Sequence, residues 1–164
     1  MDIPRIEIVD PVFSDPSPYP PLTAACPDAR HAMMLAEGYA GPGGKLDAIA
    51  LYLHSRLKHG AEEMGRLFEG IARVELEHLI RLGEAIEMLG GDARLGEGPG
   101  RAMWYGETLE ERLHLMLAGE YAAIARYDRY ARTVEDAGVR ALLRRLMLDE
   151  RRHVALLRQA LELT

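Results

Sequence analysis

The sequence predicts an all-α protein: a four-helix bundle made of two helical hairpins joined by a long crossover, preceded by an extended proline-rich arm. Three observations lead there. Apolar residues recur with the 3.6-residue period of a helix over four segments. The stretches between these segments run short, long, short, as two hairpins and one crossover require. The chain also repeats itself at a shift of 75 residues, so that each hairpin is one copy.

Residues 1–30 read as the arm, because prolines at 4, 11, 16, 18, 20, 21 and 27 deny it long helices. It is expected to wrap over the bundle of residues 31–164 or over a second subunit, or to be a loosely attached terminus. The first helical segment starts near Ala29, meets a break at Gly41-Pro42-Gly43-Gly44 and runs to about Lys58; its apolar stripe is Leu46, Ile49, Leu53 and Leu57. The second runs from about Ala61 to Leu89 and stops at Gly90-Gly91, a C-terminal signal. Residues 92–106, rich in glycine, form the crossover, which Trp104 and Tyr105 are expected to pin. The third begins after Thr108, an N-cap with Glu111 three residues on. It carries Leu109, Leu113, Met116, Leu117, Ile124 and Val134. Gly138 separates it from the fourth, whose stripe includes Leu142, Leu146, Leu157 and Leu161.

Composition narrows the function. The 164 residues suit one compact domain, and 48% hydrophobic with 28% charged residues is an ordinary soluble balance. Twenty basic against 26 acidic residues give a net charge of −6, which argues against nucleic acid as a partner. The single cysteine, Cys26, excludes an internal disulfide and a cysteine-based zinc or rubredoxin site. Met1–Asp10 lacks the apolar stretch of a signal peptide, and no run approaches the roughly 18–20 apolar residues of a membrane span. A cytoplasmic location is the expectation.

The repeat leads to the chemistry. At the shift of 75, Ala48-Ile49-Ala50 falls on Ala123-Ile124-Ala125, Tyr52 on Tyr127, Glu75 on Glu150 and His78 on His153. Glu75 and His78 are three apart and share a helix face. That face is the apolar one: the series 67, 71, 75, 78, 82, 86 steps by three or four, as does 142, 146, 150, 153, 157, 161. Glu120 falls in the series 113, 117, 120, 124, 127. Three carboxylates and two imidazoles therefore point into the core, where a bare charge is too costly to leave unpaired. Metal coordination explains all of them at once, and carboxylate oxygen with imidazole nitrogen suits iron or manganese, with zinc as a substitute. The other histidines, His31, His54, His59 and His114, lack matching partners and are expected to be solvated or locally bonded. Met33 and Met34 read as packing residues, and Glu62-Glu63 and Arg144-Arg145 as solvated faces.

From Tyr19 onward the chain resembles the ferritin-like superfamily, and within it the rubrerythrin and manganese-catalase-like proteins, including spore-coat relatives. The stretches that carry the likeness are YPPL at 19–22, LAEGYAG at 35–41, LDAIALYLH at 46–54, IARVELEHLIRLGEAIEMLGGD at 71–92, GEYAAIARY at 119–127 and LDERRH at 148–153. The resemblance implies two metal ions between four helices, held by one Glu from each of two helices and Glu-x-x-His from each of the other two. Carried over, Glu75, His78, Glu120, Glu150 and His153 match as ligands. Tyr52 and Tyr127 match the inward tyrosines that hydrogen-bond ligand carboxylates. Association into a homodimer or larger assembly is implied as well, and the arm points the same way.

One position departs from the family pattern: the counterpart of Glu120 is Lys45. Asp47 lies on the other side of a helix, and Glu37 precedes the glycine break, so neither replaces it. Three arrangements follow: one ion with the Lys45 ammonium at the vacant position, which charge balance favours; two ions if carbamylation turns Lys45 into a carboxylate; or a core held by the ammonium without metal. Three functions remain in view: an oxidoreductase of catalase or peroxidase type acting on peroxide or dioxygen, a metal-binding protein without turnover, and a structural protein that has lost the chemistry. The absence of a cysteine-rich electron-entry domain favours peroxide disproportionation over rubrerythrin-type reduction.

Overall fold

The computed structural model describes residues 12–23, 26–95 and 103–164. The start of the arm, residues 1–11, and residues 96–102 of the expected crossover lie outside the described residues, as do positions 24 and 25. Five α-helices and no strand are present among the described residues: α1 (Ala29–Tyr39), α2 (Lys45–His59), α3 (Glu63–Met88), α4 (Leu109–Thr133) and α5 (Ala137–Glu162). The helices α2 and α3 form one hairpin and α4 and α5 the other, and α1 packs on α3.

The glycine break divides the first predicted segment into α1 and α2. Gly43 adopts φ 67°, a left-handed conformation that suits glycine. A Cβ on Gly44 would come within 2.9 Å of the carbonyl oxygens of Gly38 and Gly41. The Gly43 amide donates to Asp47 at 2.7 Å. The new helix therefore starts at Lys45, and its phase differs from the predicted stripe. Leu53 and Leu57 are 47% and 82% exposed, whereas Lys45, Tyr52 and Ser55 are buried. Of the predicted stripe Ile49 packs against the core, whereas Leu53 and Leu57 face outward, and Lys45, Tyr52 and Ser55 take the most buried positions of α2.

Local capping sets the other boundaries. At α4 the predicted capping box is formed in full by Thr108 and Glu111. The link between α4 and α5 lies at Val134–Asp136, not at Gly138, which sits within the first turn of α5. The reason is Asp136, whose carboxylate accepts from the Val139 amide at 2.8 Å and starts the helix ahead of the glycine.

The core has two apolar ends. One contains Leu35, Leu82, Ile86, Tyr130, Leu142 and Leu146. The other contains Tyr52, Phe68, Ile71, Leu113, Met116 and Leu157. Along both α3 and α5 the Glu-x-x-His motifs fall between them, so apolar layers close off the polar one above and below.

The described part of the arm lies on its own bundle. Arg145, read from sequence as a solvated residue, is only 6% exposed. Its guanidinium donates to the carbonyls of Ser17 at 2.6 Å and Asp15 at 2.7 Å, and pairs with Asp149 at 2.7 Å. It also lies 4.3 Å from the centroid of the Tyr19 ring. The arm supplies acceptors that α5 alone lacks, and this converts a surface arginine into a buried one. Trp104, expected to pin the crossover, is 60% exposed; Tyr105 instead packs against His54, 4.6 Å between centroids. Met33, expected to pack, is 71% exposed, because it lies on the side of α1 opposite the buried His31, Ala32 and Leu35, while Met34 does pack against the core.

Two stability changes follow. Arg145→Ala strips a buried carboxylate of its cation and the arm of its anchor, and should cost about 3–5 kcal/mol in urea unfolding, with faster proteolysis within residues 12–23. Thr108→Ala removes one half of the capping box and should cost about 1 kcal/mol.

Candidate metal centre

Four helices deliver the polar layer. Glu75 and His78 come from α3, Glu120 from α4, Glu150 and His153 from α5, and Lys45 from the first turn of α2. Glu75, His78, Glu150 and His153 have no exposed surface, and Lys45 and Glu120 are 2% and 3% exposed. Ionic groups so deeply buried must be paired or coordinated, since each unpaired charge costs several kcal/mol.

The layer divides into two unlike halves. In one, Glu75, Glu120, Glu150 and His153 bring one donor atom each within 4.8 Å of one another. His153 Nδ1 lies 3.2 Å from Glu75, 3.4 Å from Glu150 and 3.5 Å from Glu120. Several of these atoms, Glu75 Oε1, Glu150 Oε2 and His153 Nδ1, are buried without a hydrogen-bond partner among the described residues. Carboxylate and imidazole atoms aimed at one point and left unsatisfied are what a divalent cation would satisfy, so the residues present fit one ion in this half.

In the other half the Lys45 ammonium sits between the same two glutamates. It donates to Glu75 Oε2 at 2.5 Å and to Glu150 Oε1 at 2.6 Å. Burial by itself would lower its pKa, but Glu150 and Glu75 outweigh this and hold it well above the ordinary lysine value. Glu150 in turn is held well below the ordinary range: burial opposes ionisation, and Lys45 and His78 overcome it. Of these cations Glu120 has only His153 beside it, whose pull on the carboxyl is the weaker effect. Burial and the neighbouring Glu75 and Glu150 push it up to about 8. Thus Lys45 serves the two bridging positions, and Glu120 is left to the His153 half.

His78 is on the lysine side. Its Nδ1 lies 3.2 Å from Glu150 and 3.8 Å from Glu75. Its Nε2 meets Asp149 at 2.8 Å. Burial would lower the His78 pKa, but Glu150 and Asp149 push it up to about 9. It is therefore not brought into the four-residue cluster, although it touches one of that cluster's carboxylates.

The two tyrosines also part company. Tyr52 donates its hydroxyl to Glu120. The Tyr127 hydroxyl has no partner among the described residues, and the Lys45 ammonium lies 5.6 Å from the centroid of its ring. The repeat explains the difference: Tyr52 faces Glu120, and Tyr127 faces the lysine that stands at the equivalent position. Lysine has no acceptor, so it offers a tyrosine hydroxyl nothing to donate to.

Asp149 is the residue that sequence reasoning missed. It is fully buried and accepts from Ser14 Oγ at 2.9 Å, the Asp15 amide at 2.6 Å and the Tyr19 hydroxyl at 2.6 Å, besides meeting His78 and Arg145. These donors hold its carboxyl below the usual range against the effect of burial. Its position three residues after Leu146 was a signal available in the sequence. The repeat hid it, because the counterpart at 74 is a valine. His153, whose matching carboxylate would come from that position, has a buried Nε2 with no partner among the described residues.

Glu37 and Asp47 do not replace the absent ligand. The Glu37 carboxylate accepts from Tyr130 at 2.8 Å on the surface, and Asp47 caps Gly43. His31 bonds to Asp28 in its own turn, and His114 to the Glu110 carbonyl at 2.9 Å.

Known proteins agree with this architecture. A manganese catalase from Anabaena superposes with a TM-score of 0.74 over 92% of this chain and 79% of its own, at 19% identity, a likeness of fold. Bacterioferritins from Rhodobacter capsulatus and Mycobacterium tuberculosis each superpose with a TM-score of 0.72 at 25% identity, over 85% of this chain and 88% of theirs. No curated protein sequence matches the chain. The family described as the ferritin-like domain matches residues 45–164, from the first residue of α2 to the last residue of the chain. With most of its length inside that match, the chain belongs to the ferritin-like domain family.

Proposed function

We propose that this protein binds a single divalent transition-metal ion, iron or manganese, through Glu75, Glu120, Glu150 and His153. Zinc is a substitute for the same donors. The observation that carries the reading is the double ion pair of Lys45 with Glu75 and Glu150, which puts a fixed positive charge where a second ion would need to sit. Charge decides the count. Lys45 offsets one of the three glutamates and Asp149 offsets the raised His78, so one divalent ion neutralises the remaining two carboxylates and a second would leave two buried positive charges unbalanced.

The likeness to a manganese catalase and to bacterioferritins supports iron or manganese as the metal. Bound there, the ion would supply redox or Lewis-acid chemistry. The chain's own part is to fix the donors, to exclude water with the two apolar ends of the core, and to hold Glu120 through the Tyr52 hydroxyl. Peroxide or dioxygen chemistry of catalase or peroxidase type that needs two ions is blocked by the ammonium. On this reading the native protein is a metal-binding member of the family rather than a two-ion oxidoreductase.

Metal content measured by mass spectrometry should be about one ion per chain. Glu150→Ala should lose it, with the helical circular dichroism retained. Lys45→Glu should raise the content towards two, and peroxide turnover should then appear. Two ions per native chain with Lys45 unmodified would overturn the reading.

We also propose a homodimer or larger assembly. Leu53 and Leu57 on α2 and Leu76 and Ile80 on α3 leave large apolar side chains on the outside of one hairpin. Light scattering at micromolar concentration should give at least twice the 18.3 kDa chain mass. Leu57→Lys should shift that mass towards the monomer.

A further inference from the structure

Between α2 and α4 lies a cavity of about 200 Å³. Met103 and Trp104 stand at its outer end, and Lys45, Tyr52 and Glu120 at its inner end. The wall between them is mostly apolar or small, with Leu51, Leu115 and Gly119 among its residues and Asp47 as its one further carboxylate. A Cβ added to Gly119, an exposed residue at the rim, would meet no atom within 4 Å, so a larger side chain there has room to lie across the opening. The volume exceeds what a peroxide or a dioxygen molecule needs. An apolar cavity of about 150 Å³ already accommodates benzene.

The inner end limits what fits. Lys45, the cation there, is already held by Glu75 and Glu150. An incoming anion would face the Glu120 and Asp47 carboxylates, with the Lys45 charge already balanced by two glutamates. A hydroxyl group has a better prospect, because the Glu120 carboxyl keeps an acceptor oxygen whether it is ionised or protonated.

We propose that this cavity is a binding site for a small uncharged organic molecule, an apolar body of about one ring with a hydroxyl end directed at Glu120. Such a ligand lies beside the candidate metal centre and shares Glu120 and Tyr52 with it. Its binding does not require the ion.

Trp104, the only tryptophan in the chain, reports on the cavity from its outer end. Phenol is the probe, titrated into the full chain after removal of metal by a chelator, with fluorescence excited at the red edge of the indole band where phenol does not absorb. A saturable change is expected at millimolar phenol or below, with benzoate at least tenfold weaker. Gly119→Leu should weaken phenol at least tenfold. The variant is expected to fold, since leucine is the better helix former and meets open space. A crystal of the native protein soaked in phenol should place the ring between α2 and α4, which tests the site even if the variant does not fold. No saturable response, an undiminished response in folded Gly119→Leu, benzoate binding as tightly as phenol, or a ring located elsewhere would each reject the proposal. Metal content is a separate measurement: phenol binding without metal binding rejects the metal reading alone, and the reverse rejects this site alone.

Discussion

Placing an ammonium between two carboxylates in a closed core constrains everything around it. Lys45 reaches Glu75 and Glu150 only because α2 starts where it does, directly after the glycine turn. The ion pair in turn requires that water stay out, since exposed pairs of this kind contribute little. The apolar ends of the bundle provide this enclosure. Removing either the cation or one anion would leave an uncompensated buried charge, which costs far more than the loss of one contact.

The same constraint explains why a repeated chain has unequal halves. A two-fold arrangement of Glu, Glu-x-x-His and Tyr would present matching sites, and the α4–α5 copy keeps its single glutamate, Glu120, to which Tyr52 of the other copy donates. The α2 position has exchanged its carboxylate for an ammonium, and the tyrosine facing it has lost its acceptor. The asymmetry continues outward. His78 leans on Asp149, and through it on the arm, whereas Val74 leaves His153 Nε2 unpartnered. A histidine supported through one nitrogen is fixed in orientation and tautomer, while an unsupported one is fixed by whatever its other nitrogen meets.

Much of this was legible in the sequence. The stripes of α3 and α5 carry glutamate and histidine at helical spacing among leucines, and two copies one repeat apart made their inward direction readable. The bundle followed from the same periodicity and from the glycine-marked ends, and the capping box at Thr108 gave the start of α4. The phase of α2 was not legible from hydrophobicity, because a lysine on the inner face and leucines on the outer one invert the usual pattern; the Tyr52–Tyr127 match was the better guide. Arg145 and Asp149 were hidden for another reason. Their partners on the arm lie more than a hundred residues away, in a segment with no periodicity, so nothing local announces the burial of Arg145, and the helical spacing of Asp149 is the one signal for its own.

The built-in ammonium has a consequence for how the protein matures. In a site whose carboxylates are balanced only by metal, the apoprotein is a strained intermediate, and folding waits on ion supply. Here two of the glutamates have a covalently tethered counter-ion from the moment α2 meets α3 and α5. The charge of these two glutamates is therefore offset within the chain itself, with no ion needed for that part of the core to close. On the proposed one-ion reading, metallation is a step separate from folding, set by ion availability alone.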